Sequence, residues 1–284
     1  MTSDGLLRSL AGVLVAMALL AVVETVLPFS RKHDWRRRHA IPNIALTALT
    51  LGLNIAFNAV GVLLTAWLSA RGYGLLSGAS LPPLAMVLTG VIALDASAYA
   101  CHRLMHVLPP LWRAHRVHHS DPLVDVTTAL RFHPIETCWR FIFLVAPAWA
   151  LGLPGEAVAT YRVVSVGFAL LEHMNVKLWQ PLDGVLSLVV GTPNMHKVHH
   201  SRQVIAANTN YGNILSLFDR VLGTFTPSSA ARAVEYGLAG YDAAAAQQFG
   251  ALLRLPFRGS ARSRLLGSRL VPTATARSRR GGAL

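Results

Sequence analysis

Long apolar runs separated by short charged segments dominate the first two thirds of the chain. Residues 40 to 70 contain no Asp, Glu, Lys or Arg, and residues 72 to 94 contain none either. Crossing a bilayer takes roughly 20 mainly apolar residues, so each run predicts one helix, over 43–68 and 81–99. A third apolar run, 6–29, has a charge-free core at 9–23. A cleaved signal peptide is the rival reading of that run. Its charged flank follows the apolar stretch, and no small-residue cleavage site stands out, which favours a retained helix. Two shorter runs, 141–153 and 158–171, are split by Pro154-Gly155. They suit a re-entrant helical hairpin better than two full spans, a spanning pair being the alternative. None of the runs alternates with the period of a strand, so the pattern predicts helices throughout.

Composition strengthens the membrane reading. Only 14% of the 284 residues are charged and 53% are hydrophobic, against about 25% charged in a typical soluble domain. An ordinary soluble globule is disfavoured on that ground. The 22 Gly and 15 Pro show no period, which excludes a collagen-like or disordered chain. Cys101 and Cys138 are too few for a disulfide framework, a Cys-rich zinc site or an iron–sulfur cluster.

Charge then orients the helices. Arg31, Lys32, Arg36, Arg37 and Arg38 lie between the first two, and the positive-inside rule turns them to the cytoplasm. The chain crosses outward, turns over the uncharged loop 72–80 and returns, so everything after His102 starts on the cytoplasmic side. From Arg254 onward there are eight Arg and no acid. This reads as a mobile cytoplasmic tail attracted to anionic lipid. It has no aromatic interleaving or motif of a nucleic-acid binder, so no nucleic-acid partner is expected. The domain reading is 1–94 for the N-terminal helices and basic loop, 95–226 for a catalytic region, and 227–284 for the C-terminal segment and tail. Trp112 and Trp179 suit an interfacial aromatic belt.

The histidines carry the chemistry. Of 12, His33 and His39 lie in the basic loop and read as part of a solvated segment. The other ten run His102-x3-His106, His115-x2-His118-His119, His133, His173, then His196-x2-His199-His200. On a helix, residues three and four apart share a face, so each set presents its rings together, with Asp95 and Tyr99 on the face of His102 and His106. Neutral imidazole is the commonest metal ligand and suits zinc, copper and iron. Eight such ligands plus His173 exceed what one tetrahedral metal uses, so the count calls for two metals. Histidines scattered at an interface would not repeat their spacing, and a proton relay needs neither two H-x-x-H-H sets nor so many members. A zinc hydrolase would show H-E-x-x-H or a similar string, which is lacking.

The three boxes, in this order and spacing, resemble the fatty acid hydroxylase/sterol desaturase superfamily of membrane di-iron oxygenases. The likeness runs from about residue 95 to 225 and includes LWRAHRVHHSD, TALRFHPIE, EHMNV, TPNMHKVHHS, NTNYGN and LFDRVLGTF. It implies an all-α integral membrane enzyme, multi-pass, with three or more transmembrane helices. A helical cap at the cytosolic end would hold the di-metal site, in the inner membrane for a bacterial protein. It further implies oxygen-dependent hydroxylation or desaturation of a lipid such as a sterol or fatty acyl chain. The implied cofactors are two iron ions, which zinc replaces in some purified or overexpressed samples, with no bound haem or flavin.

Carried over residue by residue, the resemblance assigns His102, His106, His115, His118, His119, His196, His199 and His200 as ligands, with His173 as a ninth. His133 reads equally as a ligand or a structural histidine. Lys177 stands near a place where some members have a further histidine. Among neighbours, Asp95, Glu136, Glu172 and Asn210 are candidates for supporting the ligands. Asp95, Glu136 and Glu172 would do so by accepting imidazole N–H bonds; ion pairs with Arg103, Arg131 or Arg140 are the plainer reading. Asn210-Tyr211-Gly212 turns the chain back over the metals, while Asp219-Arg220 and Gly223-Thr224 clamp the cap. The chain has no Rossmann fingerprint, haem site or cluster cysteines, so electrons must come from a separate ferredoxin- or cytochrome-type donor, an acidic one being attracted to a +13 protein. A zinc-dependent membrane hydrolase or isomerase, and a non-catalytic metal-handling membrane protein, are the competing functions.

Overall fold

The computed structural model describes residues 3–30, 36–229 and 234–258. Among them there is no strand, and extended pairing is limited to isolated bridges such as Val190 with Leu215. The arginine-rich tail past 258, His33, Arg31 and Lys32 lie outside the described residues.

Five long helices build the bundle: α1 (Ser3–Val26), α2 (Arg36–Ser69), α3 (Pro83–Val107), then, after the short α4 (Pro109–His119), α5 (Pro134–Leu151) and α6 (Gly155–His173). Within α2 and α3, His39–Thr65 and Pro83–Val107 are long and apolar enough to cross a membrane, while α1 has a shorter apolar stretch, Ala11–Val26. Large apolar side chains such as Leu63, Leu84 and Ile92 face outward. Inside, Leu94 of α3 packs with Ala148, Leu153 and Tyr161 of the α5–α6 hairpin, and Met17 of α1 packs with Leu170 of α6.

Prolines and glycines set the breaks. Leu108 is extended (φ −93, ψ 117), because the ring of Pro109 disfavours helical geometry in the residue before it. Pro109 and Pro110 then open α4, where their missing N–H groups cost nothing. The chain folds back, and α4 packs beside the end of α3. Gly152 ends α5 in the left-handed conformation (φ 70). At this tip Leu75 and Leu76 donate backbone bonds of 2.9 and 2.9 Å to Ala150 and Leu151. A Cβ on Gly74 would lie 2.3 Å from Gly152 Cα, so only glycine admits the approach.

The tip touches the loop joining α2 to α3, at the end of the bundle opposite His102 and His106. The two helices, 18 and 19 residues long, run between that loop and the histidine end, and neither is among the described helices long and apolar enough to cross a membrane. Smaller pieces close the histidine end: α7 (Gln180–Leu186), α8 (Pro193–His199), α9 (Val204–Ala207), α10 (Leu217–Val221) and α11 (Phe249–Arg254). Leu252 and Leu255, at and just past the end of α11, are buried against Leu46 of α2 and Val117 of α4.

Candidate metal centre

Four helical pieces converge at one end of the bundle. α3 brings His102 and His106, and α4 brings His115, His118 and His119. α6 ends on His173, and α8 brings His196 and His199, with His200 as its C-cap. α8 is started by Thr192, whose hydroxyl oxygen accepts the Met195 N–H at 3.2 Å ahead of the helix-opening Pro193. All nine rings are buried.

They fall into two groups whose ligand atoms lie within 4.8 Å of one another: His102, His106, His115, His119 and His199, and His118, His173, His196 and His200. In the second, Nε2 of His173 lies 3.1 Å from that of His118, 3.0 Å from that of His196 and 3.2 Å from that of His200. Metal–nitrogen bonds of about 2.0–2.1 Å in a tetrahedral site put ligand nitrogens roughly 3.4 Å apart, close to these separations. The groups are neighbours: the stacked rings of His119 and His200 have centroids 4.6 Å apart. The two groups form one continuous cage of imidazoles, each group able to hold a metal ion.

Five of the outer nitrogens are anchored, whereas those of His118 and His196 are buried without a partner. Nδ1 of His102, His199 and His173 donates to the carbonyls of Tyr211 (2.9 Å), Thr209 (2.8 Å) and Ala169 (2.7 Å). A carbonyl only accepts, so these rings carry their proton on Nδ1 and keep the Nε2 lone pair facing inward. Nδ1 of His115 lies 3.0 Å from Glu136 Oε1, which also accepts from Arg140 Nε at 2.8 Å. His106 Nδ1 meets Asn208 Oδ1 at 3.3 Å.

The inner nitrogens of His102, His106 and His199 are buried with no hydrogen-bond partner. Such orphans are rare in folded proteins, and a metal would satisfy them. Burial, followed by the neighbouring rings, holds His118, His119, His196 and His200 well below the ordinary imidazole pKa. His199 is held down to about 3, chiefly by burial. These rings are therefore neutral at pH 7, the form that binds metal. The residues present fit a metal pair.

The remaining sequence-predicted residues are less uniform. Glu136 both orients His115 and pairs with Arg140. Asp95 meets no imidazole: its carboxylate accepts the N–H groups of Ile214 (3.3 Å) and Leu215 (2.9 Å). Glu172 Oε2 stands 3.8 Å from His196 Nδ1, too far for a hydrogen bond. Asn210, in left-handed geometry (φ 57), accepts from Thr226 N and donates to the carbonyls of Met195 and Thr226. It fastens the turn and reaches no ring nitrogen. His133 lies outside both groups as the N-cap of α5, with Nδ1 accepting from Ile135 N and Nε2 3.1 Å from the Leu253 carbonyl. Lys177 is exposed.

Two readings of the sequence are overturned. Trp112 is buried, its ring 5.2 Å from that of His106 and 5.6 Å from that of His119, so it walls the cage and is no part of an exposed belt. His39 is 1% exposed and meets Asp121 Oδ1 at 3.2 Å and Asp125 Oδ2 at 2.9 Å. It is an interior residue, not part of a solvated loop. Its spacing from Asn43, one turn on in an otherwise apolar helix, was the available signal. Sequence reading also passed over Lys197 and Glu24. The Lys197 ammonium, fully buried and with its pKa brought down to about 7 by that burial, donates to the carbonyls of Met174, Val176 and Pro193. Glu24 Oε1 accepts the N–H groups of Val126 and Asn175, both at 2.8 Å. Together they clamp the segment after His173 between α1 and α8.

The family profile described as fatty acid hydroxylase matches residues 87–224. The ornithine lipid hydroxylase OlsE of Rhizobium tropici is 30% identical over 262 residues, which cover 90% of this chain and 77% of that protein. Alkylglycerol monooxygenases from Danio rerio and Homo sapiens are 37% and 30% identical over 149 residues, covering 52% of this chain and 31% or 32% of theirs. No solved structure matches. The chain belongs to the fatty acid hydroxylase/sterol desaturase superfamily. It spans about three quarters of the length of one relative and about a third of the monooxygenases.

Proposed function

We propose that this protein is a membrane-bound oxygenase that inserts one oxygen atom into an unactivated C–H bond of a lipid, at a pair of iron ions held by nine histidines. The observation that carries the reading is the cage: two adjoining sets of buried imidazoles whose ring nitrogens converge, with the inner nitrogens of His102, His106 and His199 lacking any hydrogen-bond partner and the outer nitrogens of His102, His173 and His199 tied back to backbone carbonyls. His102, His106, His115, His119 and His199 hold one ion, and His118, His173, His196 and His200 the other. His133 serves α5 as a cap. Relatives named as an ornithine lipid hydroxylase and as alkylglycerol monooxygenases support a lipid substrate and hydroxylation over desaturation.

Two irons bound there would supply the activation of oxygen that attack on a C–H bond requires. The protein's own residues do the rest. Tyr211, Thr209 and Ala169 carbonyls fix three ligand rings, and Glu136 fixes a fourth. Trp112 and Tyr211 pack against the rings and keep bulk water from the metals. Electrons arrive from a separate ferredoxin- or cytochrome-type donor. In this reading α2 and α3 cross the membrane, α5 and α6 run beside them, and the histidine end faces the cytoplasm.

Metal analysis of protein purified without a polyhistidine tag, with oxygen uptake on added lipid, tests the proposal. Two irons per chain and lipid-dependent uptake support it; anaerobic turnover with zinc would favour the hydrolase. Glu136→Gln keeps shape but weakens the grip on His115, and is expected to lower metal affinity or turnover about 10- to 100-fold.

A further inference from the structure

Beside the cage lies a surface whose polarity is inverted. Between residues 181 and 189 and between 214 and 223, every exposed residue is apolar, glycine or proline. Val185 is 65% and Val221 80% exposed, with Leu182, Leu188, Val189 and Leu222 beside them. The polar groups of the same two segments point inward. Asp183 is buried against Ser228, and Asp219 accepts from Tyr211 N, Gly212 N and the Thr224 hydroxyl. Ser216 and Arg220 donate to the Ser187 carbonyl, with the Arg220 guanidinium stacked 3.7 Å over Phe225. Backbone bonds from Gly191 N to Ile214 O and from Ser216 N to Val189 O join the segments into one unit.

The depth of this unit follows from α3. It is fastened to that helix at two levels, by Asp95 taking the Ile214 and Leu215 N–H groups and by Tyr99 meeting the Thr224 hydroxyl at 2.8 Å. A hydrocarbon layer of about 30 Å takes up roughly 20 helical residues at 1.5 Å each, and α3 has 25. Wherever that layer sits along an upright Pro83–Val107, Asp95 is at least seven residues, or about 10 Å, inside it. The turn at 214–215, whose Ile214 packs on Leu94 and Leu153, is carried to the same depth.

We propose that residues 181–189 and 214–223 form a non-spanning wedge embedded in the hydrocarbon of the leaflet that adjoins the metal centre, with the valine and leucine face against lipid chains. The inference rests on the membrane reading of α3 given above. Irregular backbone is tolerated at such depth where its polar groups are satisfied within the protein, as the bonds to Asp95, Asp219 and Ser187 provide.

The test uses the full chain in nanodiscs of phosphatidylcholine and phosphatidylglycerol, with or without bromine midway along the acyl chains. Val185→Cys and Val221→Cys, each in a Cys138→Ser background, carry an environment-sensitive fluorophore. Leu88→Cys on α3 and the exposed Ala243→Cys serve as lipid and water references. Brominated lipid should dim the labels at 185 and 221 as much as the label at 88, and aqueous iodide should dim only the label at 243. Iodide quenching at 185 and 221, with 88 still quenched by bromine, would put the wedge in water and overturn the proposal. Protection from both quenchers together with cross-linking between chains would assign the face to a second copy and overturn it too. Loss of bromine quenching at 88 as well would instead bring down the membrane reading on which it depends.

Discussion

Replacing His199 by alanine is expected to abolish turnover and to remove most bound metal, and His118→Ala is expected to do the same. His199 supplies an inner nitrogen to the five-membered group, and its outer nitrogen is already committed to the Thr209 carbonyl. No spare donor stands nearby, because the surrounding imidazoles belong to the two groups themselves. The cavity left by the ring is walled by buried side chains, so water can replace the ligand only at the expense of the dry environment. His118 sits in the four-membered group, where losing one imidazole leaves three. His173→Ala should act almost as strongly, since its Nε2 lies within 3.2 Å of three other ring nitrogens. His133→Ala should leave metal content unchanged and reduce stability modestly through the lost cap, typically about 1 kcal/mol. Iron per chain and single-turnover product, measured on the same preparations, check the ranking. Box variants with full metal and full activity would refute the di-metal reading.

The second large effect is expected in stability. Arg131→Met should destabilise the protein by about 3–5 kcal/mol, the usual cost of stripping a buried charge of its partner. The Arg131 guanidinium is fully buried and donates to the Val117 carbonyl, Asn43, Ser120 and Gln247. It lies 3.7 Å from Asp121, itself wholly buried. Removing it leaves Asp121 with His39, Asn43, Thr128 and the Leu123 N–H and frees the far ends of three segments. Adding Asp121→Asn should restore part of the loss, because the uncompensated charge goes with it. His39→Ala should also destabilise, through the same network, while leaving the ligand rings in place. Denaturant titration in detergent, following tryptophan emission, measures all three; an Arg131→Met variant as stable as the parent would remove the network from the account.

Much of the centre was legible because helical spacing is local. The intervals within 102–106, 115–119 and 196–200 state which rings share a face before any tertiary contact is known. What could not be read was how distant partners meet. Asp95 looked suited to an imidazole because both lie on one face of α3, yet two amides 119 and 120 residues away reach it first. His39 looked solvated by its basic neighbours, and its carboxylate partners lie 82 and 86 residues on. Trp112 carried the right residue type for a membrane interface, but the break at Leu108 rotates α4 so that it faces the cage. The α5–α6 hairpin shows the limit of reading helix length from apolar runs. Apolar run length gave its minimum extent, while the start of α5, with Glu136 and Arg140 in its first two turns, extends the helix beyond the run.

Three of the clustered rings take their bearings from peptide carbonyls, at Ala169, Thr209 and Tyr211. A peptide oxygen is present whatever side chain hangs beside it. Replacing the Thr209 side chain by alanine would therefore be near-silent for ring orientation, and position 169 is alanine already, although the atoms that aim these rings sit there. Their importance would surface only under changes that move the main chain itself, such as an inserted residue or a proline in the 209–212 turn. Length in this loop is thus held by the carbonyls, and residue type by Asn210 in its left-handed turn and by Gly212, where a Cβ would lie 2.5 Å from the Leu215 carbonyl oxygen.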